Sequence, residues 1–138
     1  MRLIVCLLLG MAALVTAACA PTSTDTRLVG NWSMPRQPDL TEDGFAGPNR
    51  GFDVITFKAD GTFSEMAHPT EAPPAHILSG TWRVEDGQLE LKFNWAHPTM
   101  KDMVGQELRL VIVDLKPDTF VLANAEHQKQ RLVWTRVK

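Results

Sequence analysis

Two stretches, ITFKADGTF at 55–63 and TWRVEDGQLEL at 81–91, each set an Asp-Gly pair between runs that alternate apolar and polar residues. Asp-Gly supplies the positive φ of a tight hairpin turn, and period-two alternation gives a strand one apolar face. A chain that writes this twice is committed to sequential strands paired antiparallel. From Arg27 onward no window carries the i, i+3, i+4, i+7 spacing of an amphipathic helix. Eight strands are expected instead, over 27–33, 52–58, 62–66, 77–84, 88–95, 106–115, 119–124 and 129–137. Lys116-Pro117-Asp118 makes a further tight connection between the sixth and seventh.

Alternation also assigns faces. Leu89, Leu91, Phe93 and Trp95 share one side of the fifth run, while Glu90, Lys92 and Asn94 take the other. Ile55, Phe57 and Phe63 point one way across the first Asp-Gly turn. Leu108, Leu110 and Ile112 alternate with Arg109, Val111 and Val113, so the sixth run reads as apolar on both faces and covered. One apolar and one polar face on a meander favour closure, which removes exposed edges. The expected fold class is therefore all-β, an eight-stranded antiparallel up-and-down barrel. Two Pro-rich segments, 35–51 and 67–76, break the rhythm and read as loops.

The N-terminus carries an address. After Arg2, residues Leu3 to Ala18 contain no charge, a run of secretory length and short of the ~20 residues that span a bilayer as a helix. It ends in VTAACA at 15–20, and the small residues before Cys19 resemble a bacterial lipobox. That resemblance implies a signal peptide over 1–18, a lipidated Cys19, a polar tether over 19–26 and a domain over 27–138. Ala20 stands where an inner-membrane retention Asp would be. By the same resemblance, this directs the protein to the outer membrane of a Gram-negative cell, facing the periplasm. The other cysteine, Cys6, lies within the signal, so no disulfide is expected in the domain.

Charge excludes some partners. The formal net charge is −2, which offers no electrostatic footprint for nucleic acid and no polybasic patch for an anionic membrane. Membrane contact is expected through the lipid alone.

Catalytic signatures are missing. The sequence has no Gly-x-Ser-x-Gly, no phosphate-cradling glycine loop and no thiol in the domain. DLTEDG at 39–44 fails as a calcium loop, because Arg50 occupies the position that needs a bidentate Glu. No catalysis and no cofactor are expected. Met66, His68, His76, His97, Met100 and Met103 border two loops, and thioether with imidazole suits Cu(I). None of their spacings is a ligand motif, so solvated histidines and loop-packing methionines are the preferred reading, with copper kept as a minor alternative.

LVGNW, ITFKADGTF, SGTWRVEDGQLEL and the closing LVWTRVK together resemble the bacterial lipocalin-like lipoproteins, over Leu28 to Lys138. The resemblance implies a calycin-type barrel in which Gly30 and Trp32 of the first strand close the floor. It also implies that an Arg of the last strand, Arg136 or else Arg131, stacks on the indole. The second Gly-x-Trp, Gly80 and Trp82, is read as architectural. The barrel interior is the remaining candidate site, lined by Phe57, Phe63, Trp82, Leu91, Phe93, Leu110, Ile112, Phe120 and Leu122. It is expected either to hold a small apolar molecule or to be filled as core. In the second case the protein is an envelope interaction module working through its loops.

Overall fold

The structure, a computed structural model, describes residues 24–36, 51–124 and 130–138. The eight strands are β1 (Gly30–Pro35), β2 (Gly51–Phe57), β3 (Thr62–Pro69), β4 (Ala75–Glu85), β5 (Gln88–Ala96), β6 (Glu107–Leu115), β7 (Thr119–Asn124) and β8 (Arg131–Arg136). Each pairs antiparallel with the next, and β8 returns to β1 to close an up-and-down barrel. A short 3-10 segment, Pro98–Met103, lies between β5 and β6. No helix among the described residues is long and apolar enough to cross a membrane.

The turns behave as their chemistry dictates. Asp86 and Gly87 both take positive φ, as a tight two-residue hairpin requires. At the other Asp-Gly only Gly61 does, while Asp60 Oδ1 accepts from the Thr62 backbone N–H (2.9 Å) and hydroxyl (2.6 Å). These two turns, the β6–β7 connection and the chain entering β1 lie at one end of the barrel. The β3–β4 connection and the 3-10 segment lie at the other.

Four local expectations change. Residues 26–28 form a turn rather than the start of β1, because Asp25 captures the backbone N–H of Arg27 (3.0 Å) and its carbonyl accepts from Leu28 N–H (3.0 Å). The 67–76 loop is mostly strand: β3 runs on to Pro69 and β4 begins at Ala75, with a β-bulge at their pairing. Trp95 faces outward, 41% exposed, instead of joining Phe93. A register shift puts Gly80 opposite Phe93 and Ser79 opposite Trp95, so Asn94 is extra and the alternation flips beyond it. In β6, Val113 is bulged and 42% exposed, so the doubly apolar strand has no cover there. Segment 37–50, which holds most of the 35–51 loop, and Cys19 with the whole signal region lie outside the described residues.

Candidate functional site

The floor is built by the first Gly-x-Trp. Trp32 is fully buried and donates its indole N–H to the Leu28 carbonyl at 2.7 Å. Arg136 lies over the indole with its guanidinium carbon 4.0 Å from the ring centroid. The same guanidinium donates to the carbonyls of Pro117 (2.7 Å), Val29 (3.0 Å) and Arg27 (2.8 Å). It thus ties the N-terminal turn, the β6–β7 connection and β8 into one plug. Gly30 makes room for this: a Cβ there would sit 2.6 Å from Arg136 Nη1, at a φ of +135°. Arg131 is at the far end of β8 and exposed.

Above the floor the interior is aromatic. Phe120 meets Trp32 edge-on at 4.7 Å and stacks parallel to Trp134 at 6.0 Å. Phe57 packs against Trp82 at 5.0 Å, and Phe63 meets Phe93 edge-on at 5.9 Å. Phe57, Phe63, Trp82, Leu91, Phe93, Leu110, Phe120 and Leu122 are all buried in this one cluster, and Ile112 packs half-buried against it. Gly80 carries no side chain because β5 passes too close, leaving a would-be Cβ 1.8 Å from the Lys92 carbonyl oxygen. The second Gly-x-Trp is therefore a close-approach site, with Trp82 filling the interior beside it.

Toward the opposite end the lining becomes small and polar. Asp53 has the same parity as Ile55 and Phe57 on β2, and Glu65 the same parity as Phe63 on β3. Asp53 pairs with Ala67 and Ile55 with Glu65, so the two carboxyls are diagonal neighbours facing inward. Ala67 and Ala96 supply the small inward positions nearby. Arg36 Nε lies 3.3 Å from Asp53 Oδ1, an ion pair without hydrogen-bond geometry.

Electrostatics orders the two acids. Burial pushes the Glu65 carboxyl up to about 7, the Asp53 charge adds to this, and Arg36 opposes it. Burial also raises Asp53, but the charges of Arg36 and His68 work against it. Asp53 therefore ionises first, and Glu65 keeps its proton to near neutrality. Sequence reasoning passed over both residues. The signal was there, since an Asp two residues before Ile55 and a Glu two after Phe63 occupy inward positions of otherwise apolar alternations.

The methionine and histidine candidates do not form a single cluster. Met66 and His68 lie on the outer face of β3, with Met66 opposite His76 of β4. His68 stacks on Phe52 (4.8 Å, 5°) and His76 on Trp95 (4.4 Å, 3°), so each ring is occupied by a different aromatic neighbour. His97 caps the 3-10 segment that holds Met100 and Met103. Among the described residues no group of three or more His, Cys, Asp or Glu side chains is placed to hold a metal ion.

Hollows mark the outside of the described residues. One, about 410 Å³, lies along Thr81, Arg83, Glu90, Lys92 and Glu107. There Glu90 bridges Arg83 and Arg109, the latter at 3.1 Å, so these three charges satisfy one another. Another, about 510 Å³, sits under the floor beside Arg27, Lys116 and Arg136. Its cations are already held by Asp25, Asp114 and backbone carbonyls.

No protein-family model matches the chain, and no curated protein matches it. Solved structures do. A lipocalin-like protein from Bacteroides uniformis ATCC 8492 superposes with a TM-score of 0.57 at 14% identity, covering 80% of this chain and 99% of that one. An uncharacterized protein from Bacteroides eggerthii DSM 20697 superposes with a TM-score of 0.55 at 13% identity, over the same shares. At this identity the likeness concerns the fold, which is lipocalin-like.

Proposed function

We propose that this lipocalin-like barrel binds or carries a small, largely hydrophobic molecule and performs no catalysis. The observation that carries this reading is the gradient inside the barrel. An aromatic floor sealed by Trp32 and Arg136 gives way to Ala67, Ala96, Asp53 and Glu65 at the other end. Pockets for small molecules combine an apolar body with a few placed polar groups, and the lipocalin-like fold supports the same use. The lipobox resemblance around Cys19 supports a lipid anchor in the outer membrane, with the barrel facing the periplasm.

A second reading rests on the outer surface. Phe52, Val54, Met66, His68, His76 and Trp95 form an uncharged outward patch across β2 to β5, with Phe52 and Trp95 exposed. Such a patch suits an envelope protein partner. Cu(I) on the Met66 and His76 pair is a minor variant of this surface reading.

Native mass spectrometry of the protein purified without detergent, compared with its denatured mass, separates these readings. An excess of a few hundred daltons supports carriage. A copper-sized excess promotes the outer histidines. A bare mass, with no uptake of added amphiphiles, moves the function to the outer patch.

A further inference from the structure

On the outer face of β4, β5 and β6 the side chains stand in rows that cross the ladders. One row, Arg83, Glu90 and Arg109, is matched: each pairs in register with the next, and Glu90 gives one carboxylate oxygen to each arginine. The neighbouring row, Thr81, Lys92 and Glu107, is not. Lys92 and Glu107 are directly opposite, a position that sets Cβ atoms roughly 5 Å apart. Among the described residues, however, neither forms an ion pair or a side-chain hydrogen bond. Glu90 cannot serve Lys92, because both its oxygens are taken.

These two rows line the outer hollow of about 410 Å³. Its base is low because small side chains meet there, Thr62 opposite Thr81, while long ones rise on β5 and β6. The Asp60-Gly61 turn borders it, held down where the Gly61 carbonyl accepts from the Trp82 backbone N–H at 2.8 Å. Sites for small molecules run from roughly 300 to 1,000 Å³. Space, a free cation and a free anion therefore coincide on one surface.

Charge selects the guest. A phosphate-like anion gains Lys92 but meets Glu107 and Glu90. A simple cation gains Glu107 but meets Lys92 and two arginines. An apolar molecule strips water from both charges and returns nothing. A molecule that carries an ammonium and a carboxylate a few bonds apart answers both.

We propose that this hollow binds a zwitterion of the amino-acid or short-peptide class, its carboxylate on Lys92 and its ammonium on Glu107. The Thr81 hydroxyl borders the same hollow and can accept a peptide N–H. The site lies outside the barrel and does not depend on the carrier reading. Lys92 and Glu107 are both exposed, so solvent screens their charges and affinity is modest, with a Kd of about 0.1–10 mM.

The test is a titration of the protein with alanyl-alanine at about pH 7, followed by two-dimensional amide NMR. It is repeated with the N-acetylated peptide, the peptide amide and trehalose. Saturable shifts are expected around Thr81, Arg83, Lys92 and Glu107, with each blocked peptide at least about fivefold weaker than the free one. Lys92→Met should weaken the free peptide by the same factor and leave the peptide amide unchanged, since that probe has no carboxylate to lose. Glu107→Gln should do likewise toward the N-acetylated peptide. The amide spectrum itself reports that each variant is folded. Blocked peptides that bind as well as the free one, or variants that weaken every probe alike, overturn the inference. Trehalose binding tightest overturns it in favour of a neutral polyol. Absence of saturable shifts with any probe up to about 50 mM overturns the site altogether.

Discussion

His76 lies flat on Trp95, ring centroids 4.4 Å apart and 3° from parallel, on the outside of the barrel. The pair exists because one extra residue in β5 turns an indole that alternation aims inward out to solvent. Of the four tryptophans, Trp32, Trp82 and Trp134 are buried and Trp95 is exposed. Acrylamide should therefore quench one class of emitter readily and spare the rest. In Trp95→Phe the accessible fraction should vanish, with thermal stability changed by less than about 1 kcal/mol. Persistence of that fraction would place the bulge elsewhere.

Arg136 is expected to matter more than its exposure suggests. Replacement by Lys keeps the charge but cannot reach three carbonyls and cover an indole together. Arg136→Lys should cost roughly 2–4 kcal/mol, and Arg136→Ala at least as much. Urea denaturation followed by the far-ultraviolet signal measures both. A cost near zero would show that the floor holds without its plug.

Glu65 should impose a pH dependence on stability. Its folded value of about 7 lies above the ordinary 4.5, so the native state binds the proton more tightly within that window. Stability from this group is complete below about 4.5 and falls as pH rises, levelling off above about 7. The full shift corresponds to on the order of 3 kcal/mol. Glu65→Gln should match the parent near pH 4 and exceed it near pH 8, as read by denaturant midpoints. Parallel pH profiles for the two proteins would mean that the carboxyl is solvated.

Gly80→Ala tests the close approach of β5. The added methyl meets the Lys92 carbonyl oxygen at 1.8 Å, backbone that cannot swing aside. Destabilisation of at least about 2 kcal/mol is expected, whereas Gly87→Ala meets no atom and is strained only by its φ of +75°. Equal tolerance of the two substitutions would argue against the strand spacing described.

All eight strands and their order were legible in the chain, because alternation and Asp-Gly turns are local signals. What escaped was non-local. The bulge at Asn94 depends on β4 and β5 being held in register at Gly80, and nothing in QLELKFNW announces it. The late start of the first strand, at Gly30, is the local exception: Asp25 captures backbone two and three residues on, a competition between turn and ladder. Pro69 and Ala75 joined strands because β3 and β4 extend each other's ladder past a Pro-rich sequence. Asp53 and Glu65 were legible by parity alone. Their effect on each other needed the pairing of β2 with β3.

The seam between first and last strands is short. Among the described residues the ladder across it pairs Trp32 with Arg136 and Ser33 with Thr135, and the Val137 N–H adds one bond to the Asn31 carbonyl (2.9 Å) at the base, while β1 and β2 pair over six positions. Pro35, at the upper end of β1, has no N–H to extend the join. The wall is thus a cylinder slit along one side, riveted at its base and ungirdled toward its rim. Breathing along that slit breaks few hydrogen bonds, so the rim can part while the base stays shut.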